Sequence, residues 1–162
     1  MAMHTFALQG SPRLGSNTNT LLDAVLSEII PHHLVVKHHV SHLDIAPCQS
    51  CYACATVGHC PIVDDMQDLY PALASAPVVI LASPIYFYGL TAQLKAVIDR
   101  CQTFWTNPVS KTTGRVGVLL LTAGATDKTG QGRDAAISTA RIFFDCIGAP
   151  LTHTLTAVNT DH

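Results

Sequence analysis

Four cysteines stand within thirteen residues, at the spacing Cys48-x2-Cys51-x2-Cys54-x5-Cys60, and a proline follows the last of them. Two-residue gaps let one tight loop turn several thiolates toward a common centre. The run closely parallels the one that holds a [4Fe–4S] cluster in bacterial ferredoxins. Structural zinc sites built from four cysteines also use short gaps, and reduced thiols that bind no metal are the third interpretation. These three alternatives stay open.

A hydroxyl-rich loop, residues 10–18, follows the first predicted strand and reads Gly-Ser-Pro-Arg-Leu-Gly-Ser-Asn-Thr. Backbone N–H groups and hydroxyls at the start of a helix form an anion site. The two glycines have the spacing of a P-loop, but a serine stands where that motif needs its lysine. Such a loop is suited to holding a phosphomonoester rather than to transferring a phosphoryl group; an ordinary capped turn is the alternative. The candidate phosphate ligands are Ser11, Arg13, Ser16, Asn17 and Thr18.

Two more loops follow predicted strands, and their composition indicates a flat ligand. Residues 83–89 read Ser-Pro-Ile-Tyr-Phe-Tyr-Gly, and three adjacent aromatic residues at a strand end cannot all face a core. Some of these rings are expected to lie in a crevice and contact a planar ring; the alternative is that they fold back onto the following helix. Residues 122–125 are small, which lets a ligand approach the backbone closely. One loop for phosphate and two for a flat ring predict a pocket for flavin mononucleotide.

A sheet of parallel strands must position these loops. Short apolar runs alternate with segments whose apolar residues recur at helical spacing, which predicts the order β-α-β-loop-α-β-α-β-α-β. Ligands in such sheets bind beyond the carboxyl ends of the strands, which is where the three loops begin. The predicted strands are residues 5–9, 34–40, 78–82, 116–122 and 151–158, and the predicted helices are residues 18–30, 66–74, 91–100 and 134–147.

Composition narrows the functional class. The 162 residues carry a net charge of −2 and only 12% charged residues, against roughly 25% in an average soluble domain. The balance gives no electrostatic footprint for nucleic acid. The longest apolar runs fall far below the ~18 residues of a membrane span, and no secretory signal is visible. We therefore expect one cytoplasmic domain, residues 1–162, with a Cys-rich loop at 47–65. Its low charge hints at a surface buried against a partner.

These segments, together with Asp64-Asp65-Met66, residues 83–95 and Asp99-Arg100, resemble the flavodoxin-like NAD(P)H-dependent FMN reductases. Within that family the chain is most similar to the iron–sulfur flavoprotein branch, and the likeness runs from residue 5 to about residue 158. The resemblance implies an α/β fold with a doubly wound, five-stranded parallel sheet in the order 2-1-3-4-5. It also implies non-covalent FMN and assembly into homodimers or homotetramers.

The resemblance also assigns site residues by motif position. It implies that the loop residues listed above bind the FMN phosphate, and that a second set borders the isoalloxazine ring. It further implies that the four cysteines hold a [4Fe–4S] cluster. The ring-bordering set is Pro84, Ile85, Tyr86, Phe87, Tyr88, Gly89, Ala123 and Gly124, and the cluster ligands are Cys48, Cys51, Cys54 and Cys60.

The implied activity is that of an FMN-dependent oxidoreductase. Electrons would pass from NAD(P)H, or from a ferredoxin-like donor, to a quinone, a flavin or another small acceptor. No side chain is required as an acid or base, so no catalytic residue is predicted. The alternatives are a non-enzymatic FMN or FMN plus iron–sulfur electron carrier, and a zinc-stabilised binding module.

Members of this family usually continue from the fifth strand into a final helix that packs on the sheet. The pattern in this chain ends with the fifth strand. We therefore expect either a shortened chain or a sheet face that a partner covers.

Overall fold

The computed structural model describes residues 3–108, 113–126 and 128–161. Five strands and six helices, with one 3₁₀ turn, make up the described chain. In chain order they are β1 (Met3–Gln9), α1 (Asn17–Ile29), β2 (His33–His39), the 3₁₀ turn (Val40–His42), α2 (Ala53–Val57), α3 (Met66–Ser75), β3 (Val78–Pro84), α4 (Ala92–Arg100), α5 (Gln102–Thr106), β4 (Val116–Thr122), α6 (Gln131–Cys146) and β5 (Leu151–Ala157).

The strands form one parallel sheet in the order β2-β1-β3-β4-β5. This confirms the predicted flavodoxin-like architecture. The chain moves outward from β1 to β2 and then returns to the other side of β1, so the direction of winding reverses between β1 and β3. In doubly wound sheets ligands bind at such a reversal, outside the carboxyl ends of the strands.

Alternate residues of β3 show how the two faces of the sheet are covered. Val79 and Leu81 pack in a large apolar cluster with helices α3 to α6. Ile80 and Ala82 point to the opposite face and pack in a smaller cluster with α1. All four side chains are buried, because a central parallel strand is covered on both faces.

The face packed by α1 is thinly covered toward β5. Leu155 of β5 pairs in register with the buried Leu120 of β4, yet Leu155 is 48% exposed. Among the described residues the last strand or helix along the chain is β5. No helix in the described ranges is long and apolar enough to cross a membrane.

Two short helices, α2 and α5, were absent from the sequence prediction. Helix α2 lies inside the Cys-rich loop, and α5 begins two residues after α4 ends. Both are five-residue segments, too short for a helical periodicity to be visible in the sequence. Helix α6 begins three residues earlier than predicted, after Gly130 in the left-handed region at φ 72°.

Candidate functional site

The loop after β1 is held tightly against β3 and α4. The Gly10 N–H donates to the Ala82 carbonyl at 2.6 Å, and the Thr91 hydroxyl donates to the Gly10 carbonyl at 2.5 Å. A Cβ at position 10 would lie 2.8 Å from a Leu94 methyl group and 2.9 Å from the Ala82 oxygen. A side chain does not fit here, so the glycine lets the loop turn close to the sheet edge before α1 begins.

Buried hydroxyls then surround the start of α1. Ser16 caps the helix, accepting from the Asn19 N–H at 3.1 Å and from the Gln9 amide at 3.0 Å. The Thr18 and Thr122 hydroxyls are 2.6 Å apart. Ser11 is buried as well, and its hydroxyl accepts from the Arg13 N–H at 3.2 Å. The first turn of α1 carries no acidic residue, so no side chain of that turn neutralises the positive end of the helix dipole.

Asn17 and Arg13, the other two predicted phosphate ligands, have exposed side chains. The Asn17 amide donates to the Thr160 carbonyl at 2.7 Å, and the Thr160 N–H donates to the Ala123 carbonyl at 3.1 Å. The residues after β5 therefore join the start of α1 to the loop after β4. Thr160 thus links the phosphate loop (residues 10–18) to the small segment at 122–125, which are two of the three predicted ligand loops.

A cleft of about 610 Å³ opens at the carboxyl ends of β3 and β4. Its volume lies within the roughly 300–1,000 Å³ of small-molecule sites. The lining is mainly apolar or small, with one lysine. The lining residues are Ile85, Phe87, Tyr88, Ala123, Gly124, Ala125, Thr126, Lys128, Thr129 and Gly132.

A strained turn presents two of the aromatic rings at this cleft. Tyr86 and Gly89 exchange backbone hydrogen bonds at 2.9 and 2.8 Å. Between them Phe87 and Tyr88 have φ values of 46° and 62°, as in a type I′ turn, whose central positions favour glycine and asparagine. The Phe87 ring is fully exposed. Holding a bulky apolar residue in this conformation costs free energy, and such strain is concentrated at functional sites.

The predicted ring-bordering set is therefore only partly in the cleft. Ile85, Phe87, Tyr88, Ala123 and Gly124 line it. The other three predicted residues do not line it: Pro84 is buried at the end of β3, and Tyr86 and Gly89 form the base of the turn.

The sequence analysis gave no role to four of the lining residues. They lie in the loop after β4 and at the start of α6, beyond the small segment 122–125, and their side chains offered no distinct motif. Residue 127 of this segment lies outside the described residues. The four are Thr126, Lys128, Thr129 and Gly132, whereas Ala125 belongs to the small segment that was predicted.

The shape of the cleft suits a flat ring. A Cβ at position 132 would lie 2.7 Å from the Tyr88 ring, so the glycine lets that ring pack against the start of α6. An apolar cleft bordered by aromatic rings suits an isoalloxazine, and the buried hydroxyls at the start of α1 are groups that suit a phosphate. The Thr18–Thr122 hydrogen bond connects the two regions.

The four predicted metal ligands line a second, smaller cavity of about 130 Å³. It lies between the Cys-rich loop and the α4–α5 junction. Cys54 is buried, Cys51 is exposed, and Cys48 and Cys60 are intermediate. Four thiols around one cavity are a soft donor set that suits an iron–sulfur cluster or zinc. Since a water takes up only about 30 Å³ in the liquid, the cavity has room for a group of several atoms.

Two residues of the Cys-rich loop have left-handed backbone conformations. Ser50 and Tyr52, which flank Cys51, have φ values of 54° and 58°, and such left-handed residues bend the chain sharply. As the side chains stand, no group of three His, Cys, Asp or Glu residues in the described ranges could hold a single metal ion.

A buried arginine forms one wall of this cavity, and the sequence analysis gave it no role. Arg100, the last residue of α4, is 1% exposed. Its terminal nitrogens bind both carboxylate oxygens of Asp64, at 2.5 and 3.1 Å. They also donate to the Ala46 carbonyl at 2.9 Å and the Ile62 carbonyl at 3.1 Å. The burial of Arg100 could have been predicted from the sequence, because residue 100 lies three residues after Val97 and so falls on the same inner face of α4.

The ion pair shifts the pKa values of both Asp64 and Arg100. Burial alone would raise the pKa of Asp64, but hydrogen bonds from Arg100 and from the Ala46 and Met66 N–H groups hold it below its ordinary value. Burial alone would lower the pKa of Arg100, but the hydrogen bond to Asp64 raises it above its ordinary value. Burial also raises the pKa of Tyr70, whose hydroxyl donates to the Arg100 carbonyl at 3.1 Å. The pair is therefore fully charged at neutral pH.

Comparison with known proteins places this geometry in context. The model of a family described as NADPH-dependent FMN reductase matches residues 3–158. An iron-sulfur flavoprotein of Archaeoglobus fulgidus is 37% identical over 110 residues, covering 67% of this chain and 50% of the relative. An iron-sulfur flavoprotein of Methanocaldococcus jannaschii is 32% identical over 144 residues, covering 88% of this chain and 71% of the relative. The chain spans about half the length of four curated relatives that it matches.

Among solved structures, an NAD(P)H:quinone oxidoreductase from Methanothermobacter marburgensis matches with a TM-score of 0.69 at 18% identity. The match covers 98% of this chain and 84% of that one. At this identity the likeness shows a shared fold.

Proposed function

The chain belongs to the NADPH-dependent FMN reductase family, and from this premise we propose that it binds FMN and transfers electrons from NAD(P)H to a quinone, a flavin or another small acceptor. The observation that carries this proposal is the joined site at the carboxyl edge of the sheet. There a cluster of buried hydroxyls at the N-terminus of α1 is joined, through the Thr18–Thr122 hydrogen bond, to the end of the strand that leads into an apolar cleft of about 610 Å³.

The phosphate end of the cofactor would be held by the start of α1. Ser11, Ser16 and Thr18 supply buried hydroxyls, and Arg13 supplies an exposed positive charge. The helix dipole favours a dianion at this position. The hydroxyl hydrogen of Thr18 can turn from Thr122 toward a bound phosphate, because a hydroxyl rotates to suit its acceptor.

The ring end would lie between the turn at 85–89 and the small residues Ala123 and Gly124. Phe87 and Tyr88 would shield the ring from water, and the exposed Lys128 provides a positive charge at the rim. FMN, when bound, supplies the hydride and single-electron chemistry. This chain binds and orients that group and leaves one edge of the cleft open to a nicotinamide or an acceptor.

For the Cys-rich loop we propose a [4Fe–4S] cluster held by Cys48, Cys51, Cys54 and Cys60. The four thiols share one cavity, and relatives at 30–37% identity carry the name iron-sulfur flavoprotein. A ferredoxin-like protein is then a suitable single-electron donor. This part of the proposal is independent of the flavin site, since the two cavities share no lining residue.

We also propose that the protein works as a homodimer or homotetramer. The half-exposed Leu155 on the thinly covered sheet face supports this, as do the exposed Trp105 and Ile142 that border a groove between α5 and α6. Sedimentation of the FMN-loaded protein tests it, and a monomer at micromolar concentration would contradict it.

The test of the redox activity is anaerobic NAD(P)H oxidation by the FMN-loaded protein, with a quinone or free flavin as acceptor. We expect turnover that depends on both FMN and the acceptor. FMN binding without NAD(P)H oxidation would instead indicate an electron carrier. Absence of FMN binding would contradict the proposal.

A further inference from the structure

The guanidinium of Arg100 has one hydrogen-bond donor to spare. Four of its contacts are made by the terminal nitrogens Nη1 and Nη2. The Nε–H has no partner among the described residues, although the atom is fully buried. An unpaired buried donor on a charged group costs free energy. Arg100 lines the cavity that the four cysteines share, so an acceptor held there could receive this N–H.

The same residue holds the two ends of the Cys loop together. Ala46 precedes the loop (residues 47–65), and Ile62 lies just after its last cysteine; the carbonyl groups of both residues accept hydrogen bonds from Arg100. Asp64 completes this closure, since it also accepts from the Ala46 N–H at 3.0 Å. Next to it, the Asp44 N–H donates to the Asp65 carboxylate at 2.7 Å. The loop thus leaves and re-enters the fold at one point, with the guanidinium at its centre.

The charge of Arg100 suits an anionic occupant of the cavity. Asp64 neutralises one face of the guanidinium, and the Nε edge is left without a counter-charge. Thiolates bound to iron and bridging sulfides carry negative charge, and N–H donors to these sulfurs are among the groups that set the reduction potential of a cluster. The contacts that close the Cys loop and the unpaired Nε–H therefore belong to one residue, Arg100, at the cavity of the four cysteines.

We propose that Arg100 closes the Cys loop and directs its free Nε–H to the anionic iron–sulfur group that the four cysteines hold. The inference rests on the cluster part of the proposed function, and it makes Arg100 a positioning residue with a second role in setting the cluster potential. Lysine is a poor substitute, because it has a single ammonium and no planar fork that can reach a carboxylate and two carbonyls together.

A second buried arginine provides the matched control. Arg115, at 4% exposure, donates to the carbonyls of Ala76, Ile147 and Leu73. It does not line the cysteine cavity. Replacing either arginine by lysine removes a buried guanidinium that donates hydrogen bonds to carbonyl groups. Only the change at Arg100 removes contacts to the Cys loop.

The experiment compares wild type, Arg100→Lys, Arg100→Gln and Arg115→Lys after anaerobic purification. Iron, sulfide and FMN per chain are measured, followed by the potential of each centre by redox titration. We expect Arg100→Gln to lose most of its iron, with a lower cluster potential in the fraction that remains. Arg100→Lys should fall between Arg100→Gln and wild type. Arg115→Lys should keep the wild-type iron content and potential, and the flavin potential should be unchanged throughout.

A measurement on the unaltered protein covers the case in which the Arg100 variants do not fold. Wild-type protein is produced with ¹⁵N-labelled arginine, reduced, and studied by pulsed EPR. We expect a ¹⁵N nucleus coupled to the electron spin of the cluster, and we expect the same coupling in the labelled Arg115→Lys variant. Wild-type iron content and potential in Arg100→Gln, or no coupled nitrogen, would overturn the inference while leaving the cluster in place. Wild type without iron and sulfide would overturn the cluster proposal and this inference with it.

Discussion

The flavin cleft and the Cys loop are built in opposite ways. The cleft is made by the ends of β3 and β4, and it is lined mostly by small or apolar residues and two aromatic rings. The Cys loop stands outside the sheet, and the buried ion pair of Arg100 and Asp64 lies at the point where its two ends meet. A site formed by sheet topology should tolerate single substitutions, whereas a loop held at one point should fail when that point is lost.

The largest expected effect, and one confined to the Cys loop, is that of Cys54→Ser. Cys54 is the buried member of the four cysteines, and serine is a poor ligand for iron in such a cluster. We expect near-complete loss of iron and sulfide, measured on anaerobically purified protein, with FMN still bound one to one. Cys146→Ser, outside the loop, is the control and should keep its iron. Loss of FMN together with iron would show that the regions are not independent.

Next in size is the effect of Asp64→Asn. Removing one partner of a buried ion pair costs about 3–5 kcal/mol, and here it should also open the Cys loop. Chemical denaturation at pH 7 measures the loss of stability. The control is Asp99→Asn, which removes an exposed pair with Lys95 and should cost no more than about 0.5 kcal/mol.

The Asp64 effect should also depend on pH. The pKa of Asp64 is lowered in the folded state, so its ionised form stabilises the fold above the unfolded pKa of about 3.9. That contribution is lost as the pH falls through the lower, folded-state pKa. The stability difference between wild type and Asp64→Asn should therefore shrink in acid. A difference that grows below pH 4 would show that the ion pair is not the stabilising contact.

A moderate effect confined to the cleft is expected from Thr18→Val. The variant removes a buried hydroxyl at the start of α1 and leaves the Thr122 hydroxyl without its partner. A lost hydrogen bond to a charged group is worth about 1.5–3 kcal/mol, so the FMN dissociation constant should rise roughly ten- to a hundred-fold. Flavin fluorescence titration measures this change. Thr18→Ser keeps the hydroxyl and should bind FMN nearly as wild type, with equal iron in both variants.

The smallest effect, and one of opposite sign for stability, is expected from Phe87→Gly. The ring is fully exposed and its φ is 46°, so glycine removes strain and loses no packing. The free energy of unfolding without FMN should rise by about 1 kcal/mol, while FMN binding weakens several-fold. A loss of stability in the FMN-free protein would mean that Phe87 packs against the fold after all.

The difference between the cleft and the Cys loop also explains which features could be predicted from the sequence. The alternation of strands and helices and the position of the cleft followed from apolar periodicity and from the rule that ligands bind at strand ends, while the order of the strands in the sheet came from the family resemblance. Gly132 was missed because its contact with the Tyr88 ring depends on how the start of α6 packs against the turn, and Lys128 was missed because its side chain belongs to no motif. The pairing of Arg100 with Asp64 joins residues 36 positions apart, and no local pattern encodes such a distance.

Two of the residues predicted to border the flavin ring, Tyr86 and Gly89, do not line the cleft. They exchange backbone hydrogen bonds at the base of the type I′ turn. Ile85, just before the turn, and Phe87 and Tyr88, at its tip, line the cleft. The sequence indicated the segment, but the turn type, set by the positive φ values at residues 87 and 88, was not visible in it.

We propose that this one chain carries two separate redox centres, an FMN and an iron–sulfur cluster. The most direct test is the content of FMN, iron and acid-labile sulfide in anaerobically purified protein, together with its absorption spectrum. We expect about one FMN, four iron and four sulfide per chain, with resolved flavin bands over a broad iron–sulfur absorption. A flavin spectrum with neither iron nor sulfide would contradict the claim, as would a protein that holds zinc in the Cys loop.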